Sequence, residues 1–369
     1  MKKKSMLLIL ALVLSLGLLI MMFGSVGNPA SSSGAQTAGG IMDKFDMYMT
    51  NAISEALNDF LAIEKVYWLS DEDLVAPQPD LAAFGTADTL EEMKPILEQA
   101  EDLMEGQTLH FGEGIPLMAG EPIRYYLDET IFAVTWKEEY NSTVYTFAEV
   151  KIADPSQLRR FLAGGEYGSE KQFITTEMSE SVNAVVASSG DFYRFRSQGI
   201  IVYNGVVQRV DTYKVDTCMI DDKGNMHFVR AGQILDKAAA QAYVDENNIR
   251  FSLAFGPILI ENGKRCEPDD YYLGEVKDFF PRSALCQLGD CHYMLAIGSE
   301  QGDYKYNPTI HMFAEYLAKK GVIERAYALD GGQTAVIAMN HELVNSVFYG
   351  YQREISDIIY FATAVPDGG

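Results

Sequence analysis

The sequence predicts an α+β (mixed α/β) fold, a strand-rich domain with a few interspersed helices. From about Tyr125 onward, apolar residues recur with a period of two, as in residues 131–136 and 144–152. Asn204-Gly205 separates two such runs, and this dipeptide favours a two-residue β-hairpin turn. Helical periodicity is confined to short segments between the strand patterns. Hairpins combined with separate helices are typical of an α+β domain.

The remaining elements follow from the same two periods. Strands are predicted at residues 183–187, 199–203, 206–213, 218–221, 226–230, 251–260, 284–287, 293–297, 325–329, 334–339 and 355–363. Helices are predicted at residues 237–244 and from Asn307-Pro308 to a stop at Gly321. Asp154-Pro155 predicts one more short helix, ending at Gly164-Gly165, because proline is favoured at the first helical position.

The N-terminal residues 1–24 are predicted to form a signal anchor or a signal peptide. The run from Met6 to Phe23 is almost entirely apolar and uncharged. As a helix it would span about 27 Å, close to the ~30 Å hydrocarbon core of a bilayer. Three lysines precede it, which predicts a cytoplasmic N-terminus and a C-terminal domain outside the cytoplasm. We favour an uncleaved single-pass anchor in the cytoplasmic membrane, because a signal-peptide core is usually about 7–15 residues long. Cleavage and secretion stay open.

Two further segments separate this anchor from the strand-rich domain. The predicted organisation is an anchor or signal peptide at 1–24, a flexible Gly/Ser-rich tether at 25–40, a helical stalk or subdomain at 41–120 and the strand-rich domain at 121–369. An apolar stripe with a period of four predicts a helix over residues 41–65. Thr89 and Glu92 predict a capping box at the start of a second helix, which runs to about Met104.

Composition and charge exclude several partners. The chain has 29 basic and 52 acidic residues, a net charge of −23, which repels nucleic acid. Four cysteines are present, and none has metal-ligand spacing with another cysteine or a histidine. We therefore expect neither a metal nor another cofactor. Cys286 and Cys291 flank a Gly-Asp turn and are compatible with a disulfide, but small buried apolar side chains are the favoured interpretation.

Three segments place charged residues beside predicted strand ends. Residues 188–193 carry Asp191 after an apolar strand, and residues 328–334 carry Asp330 followed by two glycines. Residues 280–285 place Arg282 at the start of a strand. Glycine lets backbone N–H groups approach an anion closely, although Asp-Gly-Gly is equally a common turn. We expect Asp191, Arg282 and Asp330 to lie in one pocket.

These segments belong to an ordered series of motifs over about residues 126–364. The series comprises Asp154-Pro155, Gly190-Asp191-Phe192-Tyr193, Asn204-Gly205, Phe255-Gly256-Pro257, Asn262-Gly263-Lys264, Pro281-Arg282-Ser283-Ala284, Leu329-Asp330-Gly331-Gly332 and Arg353-Glu354-Ile355-Ser356-Asp357. In this order the motifs resemble the phosphodiester glycosidase family. The resemblance implies a hydrolase that cleaves a sugar 1-phosphodiester in cell-envelope or exopolysaccharide material, with a glycan or glycosyl phosphate as substrate.

The resemblance also implies roles for individual residues. Arg282 is the candidate phosphate clamp, because a guanidinium can bind two oxygens at once. Asp330, and after it Asp191, are the candidate catalytic carboxylates that direct water or stabilise an oxocarbenium-like centre. The candidate substrate-binding residues are Gly190, Gly331, Gly332, Thr334 and Arg353. For Arg353, a structural ion pair with Asp357 is an alternative to substrate contact.

Departures from the family pattern leave a second interpretation open. The family has Asp-Gly-Arg where this chain has Ile297-Gly298-Ser299, and Gln333 interrupts the glycines after Asp330. Loss of an arginine from a phosphate site removes about 1.5–3 kcal/mol of charge-assisted binding, unless Lys305 or Arg325 replaces it. The alternative is a catalytically degenerate member that binds a glycosyl phosphate or acts as an envelope scaffold.

Overall fold

The computed structural model describes residues 75–111, 116–211, 213–266, 271, 277–299 and 306–365. The predicted anchor, the tether and the helix at 41–65 lie outside the described residues. Within the described ranges, no helix is both long and apolar enough to span a lipid bilayer.

The described residues contain many short strands and few helices. The strands are β1 (Phe84–Ala87), β2 (Ile123–Leu127), β3 (Ile131–Tyr140), β4 (Thr143–Ile152), β5 (Leu158–Leu162), β6 (Val186–Ser189), β7 (Gly199–Tyr203), β8 (Val206–Asp211), β9 (Thr217–Asp221), β10 (Met226–Val229), β11 (Ile249–Leu253), β12 (Ile258–Glu261), β13 (Lys264–Arg265), β14 (Arg282–Gly289), β15 (His292–Ser299), β16 (Arg325–Leu329), β17 (Ile337–Met339), β18 (Glu342–Leu343) and β19 (Asp357–Phe361). The α-helices are α1 (Leu90–Gln99), α2 (Glu101–Met104), α3 (Thr175–Ser181), α4 (Lys237–Asn247) and α5 (Ile310–Lys319).

Within the described part of the chain, these strands form four sheets whose strand pairs are all antiparallel. The strand orders are β1-β2-β3-β4-β15-β14-β16-β12-β13 in the nine-stranded sheet, β18-β17-β6-β19-β5 in the five-stranded sheet, β10-β9-β11 in the three-stranded sheet and β7-β8 in the two-stranded sheet. Antiparallel sheets with separate helices confirm the predicted α+β class.

The main apolar core lies between the nine-stranded sheet and the five- and three-stranded sheets. Leu295 of the nine-stranded sheet, Ile359 of the five-stranded sheet and Ile220 of the three-stranded sheet belong to this one buried cluster. The other face of the nine-stranded sheet packs against α1 and α5, which contribute Met93 and Phe313 to a second cluster. Because side chains alternate along each strand, one sheet supplies residues to both clusters.

The local turn chemistry formed largely as the sequence predicted. Asn204 and Gly205 have φ angles of +49° and +72° and join β7 to β8. At the start of α1, Thr89 accepts a hydrogen bond from the Glu92 N–H, but the Glu92 carboxylate accepts from the Asp88 N–H at 2.9 Å, so half of the predicted capping box forms. Cys286 and Cys291 are free thiols, as favoured over a disulfide.

The predicted helix after Asp154-Pro155 is wrong. The capping box of Asp154 and Gln157 supports only one 3₁₀ turn, after which the chain extends as β5. β5 pairs along its whole length with β19, nearly 200 residues away in sequence. This long-range pairing outweighs the local helical signal, since strand hydrogen bonds satisfy the same backbone groups.

The predicted strand at 251–260 is also wrong as one element. It is divided into β11 of the three-stranded sheet and β12 of the nine-stranded sheet. Gly256 has a φ of +74°, and Pro257 has no backbone N–H to donate to a neighbouring strand. The chain therefore crosses from one sheet to another at this dipeptide.

The predicted boundary between a helical subdomain and the strand-rich domain, at residue 120, does not separate two structural units. β1 pairs with β2 from Phe84↔Tyr126 to Ala87↔Ile123, so it belongs to the nine-stranded sheet. The described residues on both sides of position 120 group as one compact unit. The pairing of β1 with β2 cannot be detected from helical periodicity. The sequence pattern therefore predicted that the segment containing β1 belongs to a helical stalk.

A buried ion cluster joins the five-stranded and the three-stranded sheets. Arg160 of β5 contacts Asp357 of β19 (Nε–Oδ2, 2.9 Å) and Asp191 beyond β6 (Nη2–Oδ2, 3.1 Å), and all three side chains are fully buried. The guanidinium also donates to the Ser252 carbonyl of β11. One guanidinium thus faces two carboxyl groups in the interior. Burial first, and then the Asp191 charge, raise the pKa of Asp357, while Arg160 opposes both.

We predict that Arg160→Met destabilises the protein by about 3–5 kcal/mol, because it leaves two buried carboxylates without their cation. Arg209→Met is a matched control. Among the described residues, the Arg209 side chain donates only to the carbonyls of Tyr193 (2.7 Å) and Gln198 (2.9 Å), so its loss costs less. Urea unfolding of both variants gives the comparison.

A double variant tests whether uncompensated buried charge is the reason for the predicted loss of stability in Arg160→Met. Adding Asp357→Asn to Arg160→Met removes one of the uncompensated carboxylates and should recover part of the lost unfolding free energy. Equal losses for Arg160→Met and Arg209→Met, with no recovery in the double variant, would show that the cluster is not an electrostatic anchor.

Candidate functional site

A pocket of about 490 Å³ opens beside the C-terminal end of β16. Its lining residues come from five loop or strand-end segments: Phe192, Phe195, Arg196, Ser197, Gln198, Phe255, Phe280, Pro281, Arg282, Asp330, Gly331, Gly332 and Arg353. β14 and β16 are antiparallel neighbours with Ser283 opposite Leu329. This register places Arg282 and Asp330 at the same end of the two neighbouring strands. The Asp330 N–H donates to the Gly190 carbonyl at 3.3 Å, which brings the end of β6 there too.

Asp330 is the carboxylate of this pocket. It is 7% exposed, and its Oδ2 lies 2.7 Å from Nη2 of Arg353. Its Oδ1 accepts a hydrogen bond from the Gly331 N–H at 3.0 Å. Burial raises the pKa of Asp330 to about 6, against the opposing effects of Arg353 and the Thr334 hydroxyl. This carboxyl group therefore changes protonation close to neutral pH.

Arg282 lines the pocket from the first position of β14. Its Nη2 donates to the Asp278 carbonyl at 2.7 Å and its Nε donates to the Pro308 carbonyl at 3.3 Å. These bonds connect the segment before β14 with the segment before α5. Arg282 thus places a positive charge at the pocket and also holds two backbone segments.

Asp191 lies behind the pocket wall, outside the set of lining residues. Its side chain is fully buried against Arg160. Oδ1 accepts from the Tyr193 N–H at 2.6 Å, and Oδ2 accepts from the Ala254 N–H at 2.8 Å. The expected single pocket for Asp191, Arg282 and Asp330 therefore brings together only the last two. Asp191 instead fixes the start of the two loops that line the pocket.

The glycine segment after Asp330 lines the pocket, but its polar groups are used within the turn. The Gly331 N–H donates to Asp330 Oδ1, and the Gly332 N–H donates to the Pro281 carbonyl at 2.9 Å. The Thr334 side chain is buried, and its hydroxyl donates to the Gly331 carbonyl at 2.7 Å. In this structure these groups make contacts that stabilise the turn, and their phosphate contacts stay a prediction.

Two other expectations change for packing reasons. Gly190 is buried, and a Cβ atom there would lie 2.0 Å from Asp357 Oδ2, so the position needs glycine to admit that carboxylate. The Arg353–Asp357 ion pair predicted as an alternative is wrong. Arg353 pairs with Asp330 at the pocket, and Asp357 pairs with Arg160 in the interior.

Sequence reasoning missed Arg196 and the phenylalanines of the pocket. The lining arginines each lie near a phenylalanine ring: Arg196 at 4.7 Å from Phe255, Arg282 at 5.9 Å from Phe280 and Arg353 at 5.3 Å from Phe192, measured from guanidinium carbon to ring centroid. Aromatic and basic residues alternate over residues 192–196 in a strongly acidic chain, and that contrast was the available signal. The pocket is therefore cationic and aromatic around one carboxyl group.

The departures from the family pattern lie outside the pocket lining. Ile297 is fully buried in the main apolar core, and Ser299 is 7% exposed at the end of β15. Arg325 is at the opposite end of β16 from Asp330 and donates to Gln287, so it does not supply a cation to the pocket. Lys305 lies outside the described residues. In the described ranges, no three His, Cys, Asp or Glu side chains are grouped as metal ligands.

Solved structures show partial similarity to the chain. The zebrafish N-acetylglucosamine-1-phosphodiester α-N-acetylglucosaminidase catalytic domain, auto-inhibited by its pro-peptide, is 17% identical and has a TM-score of 0.48, over 63% of this chain and 82% of that one. A hypothetical protein from Synechocystis is 13% identical, with a TM-score of 0.45 over 65% and 64% of the two chains. A putative exported protein from Burkholderia pseudomallei is 12% identical, with a TM-score of 0.40 over 60% and 74%.

Comparison at the level of sequence families covers the second half of the fold. No curated protein matches the chain at a significant level. The family model described as phosphodiester glycosidase matches residues 182–362, which include the end of β6, β14, β16 and every residue that lines the pocket. Over residues 182–362 the chain is therefore similar to the phosphodiester glycosidase family, and this similarity supports a hydrolase.

Proposed function

We propose that this protein hydrolyses a sugar 1-phosphodiester of cell-envelope or exopolysaccharide material outside the cytoplasmic membrane. The observation that carries the proposal is the pocket itself. Asp330, whose pKa is raised to about 6, lines it together with Arg196, Arg282 and Arg353. A carboxyl group that titrates near neutrality beside several cations fits the hydrolysis of an anionic substrate.

The arginines supply what a diester needs for binding. A phosphodiester carries one negative charge, which the net charge of −23 on the chain repels at long range. Within the pocket, guanidinium groups provide paired N–H donors that match phosphate oxygens. The local positive charge therefore selects an anion that the protein as a whole disfavours.

The reaction needs water to attack the anomeric carbon of the sugar. The bond that breaks joins this carbon to the phosphate oxygen, and the phosphate leaves as a monoester with the bond electrons. Asp330 in its ionised form accepts a proton from the attacking water and stabilises the positive charge that develops on the sugar. Arg353 holds the Asp330 carboxylate at 2.7 Å and fixes its orientation. Phosphate is a good leaving group, so the pocket does not need a strong general acid.

We predict that kcat/KM for a sugar 1-phosphodiester rises with pH through about 6 and then levels off, because Asp330 must be ionised. Asp330→Asn should lower kcat/KM by about 10²–10⁴-fold. The pH dependence of initial rates measures the first effect. A fall in kcat/KM through the same pH range would contradict the base role, because it would require the protonated carboxyl.

Stability gives the control for this variant. Since the folded-state pKa of Asp330 is raised, its stabilising contribution is complete below about pH 4 and is lost as the pH rises through about 6. The asparagine side chain of the variant does not ionise. Asp330→Asn should therefore be at least as stable as the wild type at pH 7–8, and loss of activity will not come from unfolding.

We predict that Arg282→Ala lowers kcat/KM by about 10²-fold or more, because a cation at the phosphate is removed. Arg282→Lys should recover part of this loss, since it keeps the charge but not the planar fork. Because Arg282 also holds the Asp278 and Pro308 carbonyls, we expect Arg282→Ala to lose about 1–2 kcal/mol of stability. Unchanged turnover in a folded Arg282→Ala protein would remove Arg282 from the phosphate site.

The location is a proposal that the apolar run in residues 1–24 supports. The full chain expressed in a bacterium should fractionate with membranes, and protease should release its domain by cutting within residues 25–40. A variant without residues 1–24 is the matched control and should remain soluble. Recovery of a soluble mature protein that begins near Gln36 would overturn the anchor and favour a cleaved signal peptide.

A glycosyl-phosphate binder without turnover is the alternative. It would show binding of sugar phosphates by the wild type and no hydrolysis across a panel of sugar 1-phosphodiesters. Restoring the family pattern at position 297 is a poor test, because Ile297→Asp would bury a carboxylate in the main apolar core.

A further inference from the structure

The three arginines of the pocket differ in how their hydrogen-bond donors are used. A guanidinium has five N–H donors. Arg353 directs Nη2 to Asp330, and Arg282 donates to two backbone carbonyls. Among the described residues, Arg196 makes one hydrogen bond, from Nη1 to the Phe255 carbonyl at 2.9 Å. Arg196 and Arg353 thus each make one hydrogen bond in this part of the chain, but the Arg353 charge is paired with the Asp330 carboxylate, whereas Arg196 binds a neutral carbonyl.

The position of Arg196 is fixed without consuming those donors. Its guanidinium carbon lies over the Phe255 ring, 4.7 Å from the centroid, and a cation–π contact of this kind uses none of the N–H donors. The loop that carries it is held on both sides, because Arg209 binds the carbonyls of Tyr193 and Gln198. The side chain is half-buried, which strengthens its interaction with an anion relative to a fully exposed arginine.

Arg196 also acts on the reacting carboxyl group. Burial raises the pKa of Asp330, and the Arg196 charge is among the effects that oppose this rise. Arg196 and Asp330 both line the pocket of about 490 Å³, so an anion bound to Arg196 would share this cavity with the carboxyl group.

We propose that Arg196 binds the phosphate oxygens of the substrate directly and is the main anion-binding side chain of the pocket. This inference rests on the proposed function for the identity of the substrate, but the anion contact itself does not depend on turnover. Arg282 and Arg353 then complete the positive wall, and Arg353 additionally orients Asp330.

The test measures equilibrium binding by titration calorimetry, with glucose 1-phosphate as the charged probe and methyl glucoside as the uncharged one. Arg196→Ala should weaken glucose 1-phosphate binding by about 10- to 100-fold, the range expected for loss of a charge-assisted contact. Binding of methyl glucoside should not change. Arg194→Ala is the matched control, because Arg194 is on the same loop, donates to the Ser169 carbonyl at 2.8 Å and does not line the pocket. It should bind both probes like the wild type.

Arg196→Lys keeps the charge and should bind glucose 1-phosphate with an affinity between those of the wild type and Arg196→Ala. If Arg196→Ala does not fold, the affinity of Arg196→Lys tests the proposal in its place. Wild-type affinity for glucose 1-phosphate in Arg196→Ala, equal losses in Arg194→Ala, or no binding by the wild type would each overturn the proposal. Selective loss in Arg196→Ala from a wild type that shows no hydrolysis would refute the proposed hydrolase and leave the anion contact intact. Hydrolysis of a sugar 1-phosphodiester by the wild type, with an affinity for glucose 1-phosphate that Arg196→Ala does not change, would support the hydrolase and refute the anion contact.

Discussion

The guanidinium of Arg160 is shared by the carboxylates of Asp191 and Asp357 in the interior of the fold, and the geometry of the pocket depends on this contact. A charge buried without a counter-charge is costly, so the strand ends that carry these groups must stay together. Asp191 transmits the constraint outward, because its oxygens accept from the Tyr193 and Ala254 N–H groups at the base of two pocket loops. The cluster is therefore a positioning device for residues that it does not itself contact.

Charge is distributed very unevenly in this protein. The chain carries a net charge of −23, yet among the described residues the charged side chains that line the pocket are three arginines and a single aspartate. Phenylalanine rings lie 4.7–5.9 Å from the guanidinium carbons, and such cation–π contacts stabilise the positive charges of the pocket. Burial of Asp330 has the opposite consequence, because it makes ionisation less favourable and costs stability at neutral pH. Such a cost is common where a protein keeps a titratable group for chemistry.

Asp191 and Asp330 show why a motif alone does not identify a catalytic residue. Both follow an apolar strand and both neighbour a glycine, so their local sequences predict the same kind of rim position. In the fold, Asp330 lines the pocket, whereas Asp191 points into the interior towards Arg160. Gly190 is a second example. Its local sequence predicted a close approach to substrate, but the absence of a side chain makes room for the Asp357 carboxylate.

The sequence by itself determined the features that depend on neighbouring residues. The two-residue period, the Asn204-Gly205 turn and the Thr89 cap are local, because their hydrogen bonds and dihedral preferences lie within a few positions. Only the tertiary structure decided that residues 158–162 form a strand, because their partners are about 200 positions away. It likewise decided that Arg196 and Asp330 line one pocket, since this follows from the packing of separate sheets, and sheet packing leaves no periodic signal along the chain.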